Sequence, residues 1–523
     1  MERIVSRNPI SGENVFDRPS TLNPELETIF GAAQLAQKEW AAQSLSFRSK
    51  KLIQLRESII DQMDLIITEI GKETGKPKTE ILTHELIPTI SSLTYFAKTG
   101  ARFLREKTIR PSNLLLLNRR SRVNFEPLGV VLIISPWNFP FYLPFGEIIM
   151  AVLSGNAVVF KPSEFTPHVG SIIIRLLEET GFPKNLVSMI IGDGQTGAAA
   201  IDCRPDKIYF TGSVATGRKI SEHAGKYMIP TCLELGGKDA LIITKDADLE
   251  HASSGALWGA FANAGQMCAS TERILVHSDN LNRFLNLYLG KIKKLRLNPS
   301  DSTQTDQGAI ITENQKNIYE SLIEDAIAKN ATILTGGSFN KDRSLLEPTV
   351  ILPPKGVGTK GIRIFKEEAF GPLVTIETFD RPDEALEKAN STEFGLTTSV
   401  FTKDVGRGLE MAKKLESGTV TINDVAFTAG LPEAPWVGHK NSGTGIKNSL
   451  YGLLGFVKIK HINSPRPGFP QMKPLWWYPY TPNQYESLYL LAKLHSRSWF
   501  TKLRIFPLFL FHLVQFFKNE RRL

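Results

Sequence analysis

The stretch "GVVLII", Gly129–Ile134, carries no charge and is built from glycine and branched aliphatic residues. An apolar run of that length, set between a glycine and the "SPW" that follows, reads as a strand buried on both faces. Similar runs recur as "AVVF" (Ala157–Phe160), "VSMII" (Val187–Ile191), "KIYF" (Lys207–Phe210) and "DALIIT" (Asp239–Thr244). Between them lie segments such as "HVGSIIIRLLEETG", apolar at helical spacing and closed by a glycine. Alternation of this kind predicts an α/β fold with a parallel sheet covered on both faces. Later, "RILVH", "ATIL", "TSVFT" and "TVTIN" predict a second α/β unit.

A chain of 523 residues has room for two or three domains, and 42% hydrophobic with 22% charged residues is ordinary globular composition. The net charge of +9 is unevenly placed: from Arg466 onward there are nine Lys/Arg against two Asp/Glu. The body is therefore nearly neutral, which argues against nucleic acid as its partner. Cys203, Cys232 and Cys268 are far apart and odd in number, arguing against a disulfide framework and a thiolate metal site. The polar start "MERIVSRNPISGENV" has no apolar signal core, so a reducing, cytoplasmic setting is expected.

Cys268 lies in "FANAGQMCAS", Phe261–Ser270, a stretch without charge. Taken alone it suits a buried filler as well as a nucleophile. "GDGQTG" (Gly192–Gly197) matches a dinucleotide fingerprint, but the next strand ends in "YFTGS" with no acid to hold a ribose. Two other strand ends are better placed. "FKPSE" sets Lys161 and Glu164 where an ammonium and a carboxylate can bind neighbouring ribose hydroxyls. "FTGSVATG" sets Gly212 and Ser213 at a helix N-terminus, where free N–H groups favour phosphate.

"SPWNFP" (135–140), "FKPSEFTP" (160–167), "FTGSVATG" (210–217), "LELGGKDALI" (233–242), "FANAGQMC" (261–268) and "EEAFGP" (367–372) follow one another along the chain. The series resembles the NAD(P)-dependent aldehyde dehydrogenase superfamily over roughly residues 5 to 465. The resemblance implies two Rossmann-type α/β domains, a bridging β arm that assembles homodimers or homotetramers, and a helical C-terminal tail. The expected division is 1–107 with 128–236 for NAD binding, 237–430 for catalysis, 108–127 with 431–465 for bridging, and a 466–523 tail. It further implies that Cys268 is the nucleophile, that the Asn138 amide and the Cys268 backbone N–H receive the developing alkoxide, and that Glu234 activates the hydrolytic water. Cofactor contacts are expected from Ile134, Ser135, Pro136, Trp137, Lys161, Ser163, Glu164, Gly212, Ser213, Gly217, Leu235, Gly236, Glu368 and Phe370. A carboxylate at Glu164 accepts from a free 2′-hydroxyl and repels a 2′-phosphate, favouring NAD over NADP.

A thiolate can add to an aldehyde, expel hydride and leave a thioester for water to hydrolyse. The CoA-acylating variant typically lacks a carboxylate at the Glu234 position, so Glu234 favours hydrolysis. A silent scaffold would have lost the nucleophile or base, and a cysteine hydrolase would need a histidine that no motif supplies. Phe141, Trp258, Phe261 and Phe427 are expected to line the substrate tunnel, suggesting an apolar aldehyde; a semialdehyde is the alternative. One departure stands out. Where many relatives read P-F-G-G, this chain reads "EAPWVGHKNSGTG", with Trp436 and Val437.

The tail reads differently. "PLWWYPYTPNQY" (Pro474–Tyr485) crowds aromatics between prolines, as at a membrane–water interface. Leu488, Leu491, Trp499 and Leu503 then recur at roughly helical spacing, and "IFPLFLFHLVQFFKNERRL" is mostly apolar with a stripe of His512, Gln515, Asn519 and Arg522. Pro507 is expected to open this last helix. Peripheral contact of 474–523 with an anionic membrane is the expectation, with packing on the body or a sister subunit as the alternative.

Overall fold

The computed structural model describes residues 2–520 apart from 112–115, 117, 299–302, 357, 426 and 469–472. The chain divides into two compact units, Met1–Arg105 with Phe125–Lys458, and Glu106–Asn124 with Ile459–Leu523.

The larger unit holds a six-stranded and a seven-stranded sheet. In the first, Val130–Ile134 is buried at every position and lies parallel to Ala157–Lys161 on one side and Lys207–Thr211 on the other. The chain runs outward through Val187–Met189, then returns to Lys207–Thr211 and Thr231–Glu234. That reversal beside Val130–Ile134 is the topological switch point of a doubly wound sheet, where ligands settle beyond the strand C-termini. The register aligns Ile134 with Lys161 and with Phe210, and Thr211 with Glu234. The expected cofactor segments thus end along one ledge.

In the second sheet Asp239–Ile243, Thr271–His277, Leu373–Phe379 and Thr397–Phe401 run parallel, and Thr332–Thr335 closes one edge antiparallel. Helix Leu249–Phe261, capped by Asp248, packs its small residues Ala252, Ala256 and Ala260 into the core on this sheet.

Gly443 and Thr444 add a short antiparallel strand to Leu233 and Glu234, and Leu235 N–H donates to Ser442 O at 2.9 Å. Gly443 has φ +149, and a Cβ there would collide with the Leu233 carbonyl. The S-G-x-G stretch is therefore a lid on the strand carrying Glu234. Residues 431–458, expected in the bridging segment, belong to the larger unit.

A three-stranded sheet joins Val457–Pro465, Arg119–Pro127 and Lys107–Ile109. Part of the expected arm, 112–115 and 117, lies outside the described residues. In the tail, the expected continuous spacing from Leu488 to Leu503 is broken: one helix is Pro482–Lys493 and the next Trp499–Glu520. Pro507 does not open the second helix but lies inside it. Ser498 starts it instead, its Oγ accepting from Thr501 N–H at 3.3 Å and its carbonyl from Lys502 N–H at 3.2 Å. A serine cap satisfies orphan donors, which a proline cannot do. Arg522 lies outside the described residues.

Candidate active site

Helix Leu249–Phe261 ends in a tight turn, Ala262–Gly265, with Asn263 and Ala264 both at φ 54 and Gly265 at φ 68. Left-handed backbone at an alanine persists only when its surroundings hold it. They do: Asn263 N–H donates to Glu80 Oε1 at 2.6 Å, and Gln266 Nε2 donates to Ala309 O at 3.1 Å. A Cβ at Gly265 would strike the Gly371 carbonyl. Cys268 emerges from this fixed turn, half-buried, just before strand Thr271–His277.

Two cavities meet there. One is lined largely by Phe139, Tyr142, Leu143, Trp258, Met267 and Trp436, with His84 and Lys447 among its polar members. The other is lined by Pro136, Trp137, Asn138, Gly212, Ser213, Leu235, Gly236, Glu368 and Phe370. Thr211, Glu234 and Cys268 line both.

The second cavity rests on the strand-end ledge. Ser213 caps helix Val214–Gly225, its Oγ accepting from Thr216 N–H at 3.3 Å, so the helix's first N–H groups face that end. Gly217 lies within the helix, where a Cβ would clash with the Leu235 side chain. Trp137 and Phe370 meet edge to face at 5.5 Å. Gly237 N–H donates to Glu368 Oε1 at 2.9 Å. The two glycines after Leu235 allow close packing at this end of the strand. Their immediate neighbours are protein: a Cβ at Gly236 would strike the Glu368 carboxylate, and one at Gly237 the Cys268 carbonyl.

Lys161, Ser163 and Glu164 stay together at the end of their strand, with Lys161 Nζ 3.7 Å from Glu164 Oε2. They and Ile134, Ser135 and Gly217 do not line the second cavity. Ile134 and Ser135 are held beside Lys161, whose carbonyl accepts from Ser135 N–H at 3.1 Å. Burial lowers the Lys161 pKa, and Glu164 and Asp193 oppose that shift.

Asn138 lies in the second cavity rather than among the residues of the apolar one, and its Nδ2 donates to Gln266 O at 3.0 Å. Its Oδ1 is buried without a partner. Among the expected tunnel residues, Trp258 lines the apolar cavity. Phe141 does not: it is fully buried and packs on Phe145 at 4.7 Å. Phe261 stacks on Tyr288 at 6.3 Å and lines a neighbouring cavity that shares Thr83, His84 and Trp258 with the apolar one. Tyr142, the residue after Phe141, does line the apolar cavity, and adjacent residues point in different directions, so proximity in sequence misassigns Phe141. The side chain of Phe427 lies outside the described ones.

Electrostatics set the protonation states. Burial, with Glu234, Asp239 and Glu368 nearby, pushes the Cys268 thiol up to about 12. Burial pushes the Glu234 carboxyl up to about 8; Lys447 opposes this, Glu147 adds to it, and a hydrogen bond from the Trp436 side chain also lowers it. Lys447 Nζ pairs with Glu147 Oε1 at 2.7 Å, both buried, and donates to Thr211 Oγ1 at 3.3 Å. Trp436 and Lys447 are bridged backbone to backbone, each N–H donating to the other's carbonyl at 2.9 Å. The departure at Trp436 thus places an indole where it favours the charged form of Glu234.

Sequence reasoning missed Lys447, Glu147 and Glu272. Glu272 accepts from Lys238 Nζ at 2.5 Å and from the N–H groups of Ala369 and Phe370 at 2.8 Å, fixing the loop that presents Glu368. The signal was faint: three charges inside otherwise buried segments.

Comparison with known proteins agrees with this architecture. The aldehyde dehydrogenase family profile matches residues 1–462. A Methylomonas protein named 4,4′-diapolycopene aldehyde oxidase is 35% identical over 93% of this chain and 90% of that one. A Mycobacterium ulcerans protein, provisionally named a succinate-semialdehyde dehydrogenase using NADP(+), is 34% identical over 87% of each chain. The crystal structure of Staphylococcus aureus betaine aldehyde dehydrogenase in complex with NAD+ superposes with a TM-score of 0.84 at 32% identity, covering 91% of this chain and 94% of that one. The chain belongs to the aldehyde dehydrogenase family and is an oxidoreductase acting on aldehydes.

Proposed function

We propose that the protein oxidises a lipophilic aldehyde to its carboxylic acid with NAD, through a thiohemiacetal and a thioester on Cys268 that Glu234-activated water hydrolyses. The observation that carries this reading is the meeting at Cys268 and Glu234 of two cavities, one walled by aromatic and aliphatic side chains and the other presenting Asn138, Ser213 and Glu368. Cys268 is suited to hold the acyl group because its thiol reaches both cavities. Glu234, with one oxygen buried and unpartnered, can take a proton from a water.

The second cavity suits a dinucleotide. It offers a helix N-terminus at Ser213 for phosphate, the Glu368 carboxylate for hydroxyls and the Trp137–Phe370 pair for an aromatic ring. Bound there, NAD would accept the hydride. The relatives' names divide between NAD+ and NADP(+), and the Lys161–Glu164 pair favours the former here. Glu164→Ser is expected to raise kcat/KM for NADP relative to NAD by about tenfold, since a carboxylate facing a 2′-phosphate is repulsive. Initial rates with both cofactors check this, and a parent enzyme already preferring NADP would contradict it.

The apolar lining supports a hydrocarbon substrate, as does the Methylomonas relative, named for an aldehyde of diapolycopene. A semialdehyde is the second reading, prompted by the mycobacterial relative's name. Among the described lining residues the lysine is Lys447, already paired with Glu147, and no arginine is present to anchor a distal carboxylate. Each added methylene on a straight-chain aldehyde is expected to raise kcat/KM about fourfold until the cavity is filled, from ~0.8 kcal/mol per buried CH₂. Succinic semialdehyde turning over faster than hexanal would reverse the assignment.

Assembly through the arm, as a homodimer or homotetramer, fits the exposed edge strand Val457–Pro465, and a sheet edge is a template for pairing. A cytoplasmic setting is consistent with three free thiols.

A further inference from the structure

The C-terminal helices form a hairpin. Pro482–Lys493 and Trp499–Glu520 pack through Leu490, Leu491, Ile505 and Phe509, with Leu494 and Leu513 beside them. Asn483 and His512 meet across the pair at 3.2 Å. Gln484 ties the first helix to the segment before it, donating to the carbonyls of Leu475 and Trp477.

That packing uses one face of the longer helix. At about 100° per residue, Trp499, Phe500, Leu503, Phe506, Leu510 and Phe511 fall on an unused arc about 140° wide. They are 41% to 84% exposed. Lys502 falls at one border of the arc and Arg504 at the other. Just upstream, Trp476, Trp477, Tyr478 and Tyr480 are exposed as well.

We propose that this hairpin docks the enzyme on an anionic lipid surface, the longer helix lying in the plane of the interface. Indoles and phenols collect at the boundary between headgroups and hydrocarbon. A wide apolar arc bordered by basic residues is the pattern of a helix bound in that layer. The nine basic and two acidic residues from Arg466 onward complement an anionic surface. A second copy of the chain would be the other occupant, but protein interfaces are depleted in lysine and this arc is edged by it.

The helix reaches the length needed to span, Trp499–Lys518 being 20 residues at mean hydropathy 1.3. Two facts argue for lying flat. Lys502 and Arg504 lie inside that window, leaving the apolar run Ile505–Phe517 only about 20 Å long against roughly 30 Å of hydrocarbon. Spanning would also drag the packed companion helix, with Asn483, Gln484 and Glu486, into the bilayer.

The inference rests on the tail alone, so it stands or falls apart from the catalytic assignment. The test is flotation of the full chain with vesicles of phosphatidylcholine alone, or mixed equally with phosphatidylglycerol. Most of the wild type is expected to float with the mixed vesicles at low salt, with about tenfold less on phosphatidylcholine alone or in high salt. The variant Trp499→Ser, Phe500→Ser, Phe511→Ser changes exposed residues only; it is expected to stay at the bottom with unaltered melting and unaltered oxidation of a water-soluble aldehyde. Lys502→Gln with Arg504→Gln is expected to lower flotation on the anionic vesicles. Wild type that stays at the bottom, or a serine variant that floats equally, overturns the proposal. Salt-independent binding that survives alkaline carbonate means a spanning helix and overturns it too. A serine variant that loses oligomeric mass, with no flotation of the parent, assigns the face to a second copy.

Discussion

Cys268→Ala is expected to lower aldehyde oxidation by at least ~10⁴-fold while leaving NAD affinity within about threefold. The thiol provides the covalent step, and the groups that would hold the cofactor, around Ser213 and Glu368, lie on other elements. Cys203 and Cys232 offer no substitute, because neither lines the two cavities and burial pushes Cys232 up to about 12. Calorimetric titration of NAD beside steady-state rates checks the split. Residual turnover above about one part in a hundred would take the nucleophile's role away from Cys268. The thiol itself is pushed to about 12 by burial and three nearby carboxyls, so at neutral pH it carries its proton.

The parallel sheet was legible because its strands are buried on both faces and therefore almost uninterrupted in apolar residues. Val130–Ile134 and Ala157–Lys161 are buried at every position, and both had been read within one residue of their ends. The turns and caps at the strand ends were legible for a related reason. Strand C-termini, helix caps and turns carry strong local signatures, and Ser213 caps its helix as its type demands.

Side-chain direction was not legible. Phe141 sits beside the lining residue Tyr142 in sequence yet faces the core, a matter of one step along the chain. Nor was long-range pairing. Lys447 reaches Glu147 across 300 residues of chain, and Glu272 fixes the loop of Glu368 and Phe370 nearly 100 residues away. No periodicity announces such contacts. A Pro507 read as a helix start was overridden by Ser498, because a cap with a side-chain acceptor is worth more than a proline's preset angle.

Glu234→Gln is expected to release about one equivalent of NADH per site in a rapid burst and then stall, with steady-state turnover down by 10²- to 10⁴-fold. An amide cannot take the proton of the attacking water, so the thioester on Cys268 would persist, visible by mass spectrometry of the acid-quenched enzyme. The wild type's pH dependence carries a matching sign. Burial holds the Glu234 carboxyl at about 8, so its basic form is lost as pH falls through that value, and deacylation should decline on the acid side of about pH 8. Trp436 and Lys447 both favour the charged form of Glu234. Trp436→Phe removes a donor without adding bulk, so it should move that acid limb to higher pH and lower kcat at pH 7 by a few-fold, with the burst intact. Full steady-state turnover in Glu234→Gln would assign deacylation elsewhere, and an unshifted limb in Trp436→Phe would show that the indole only fills space.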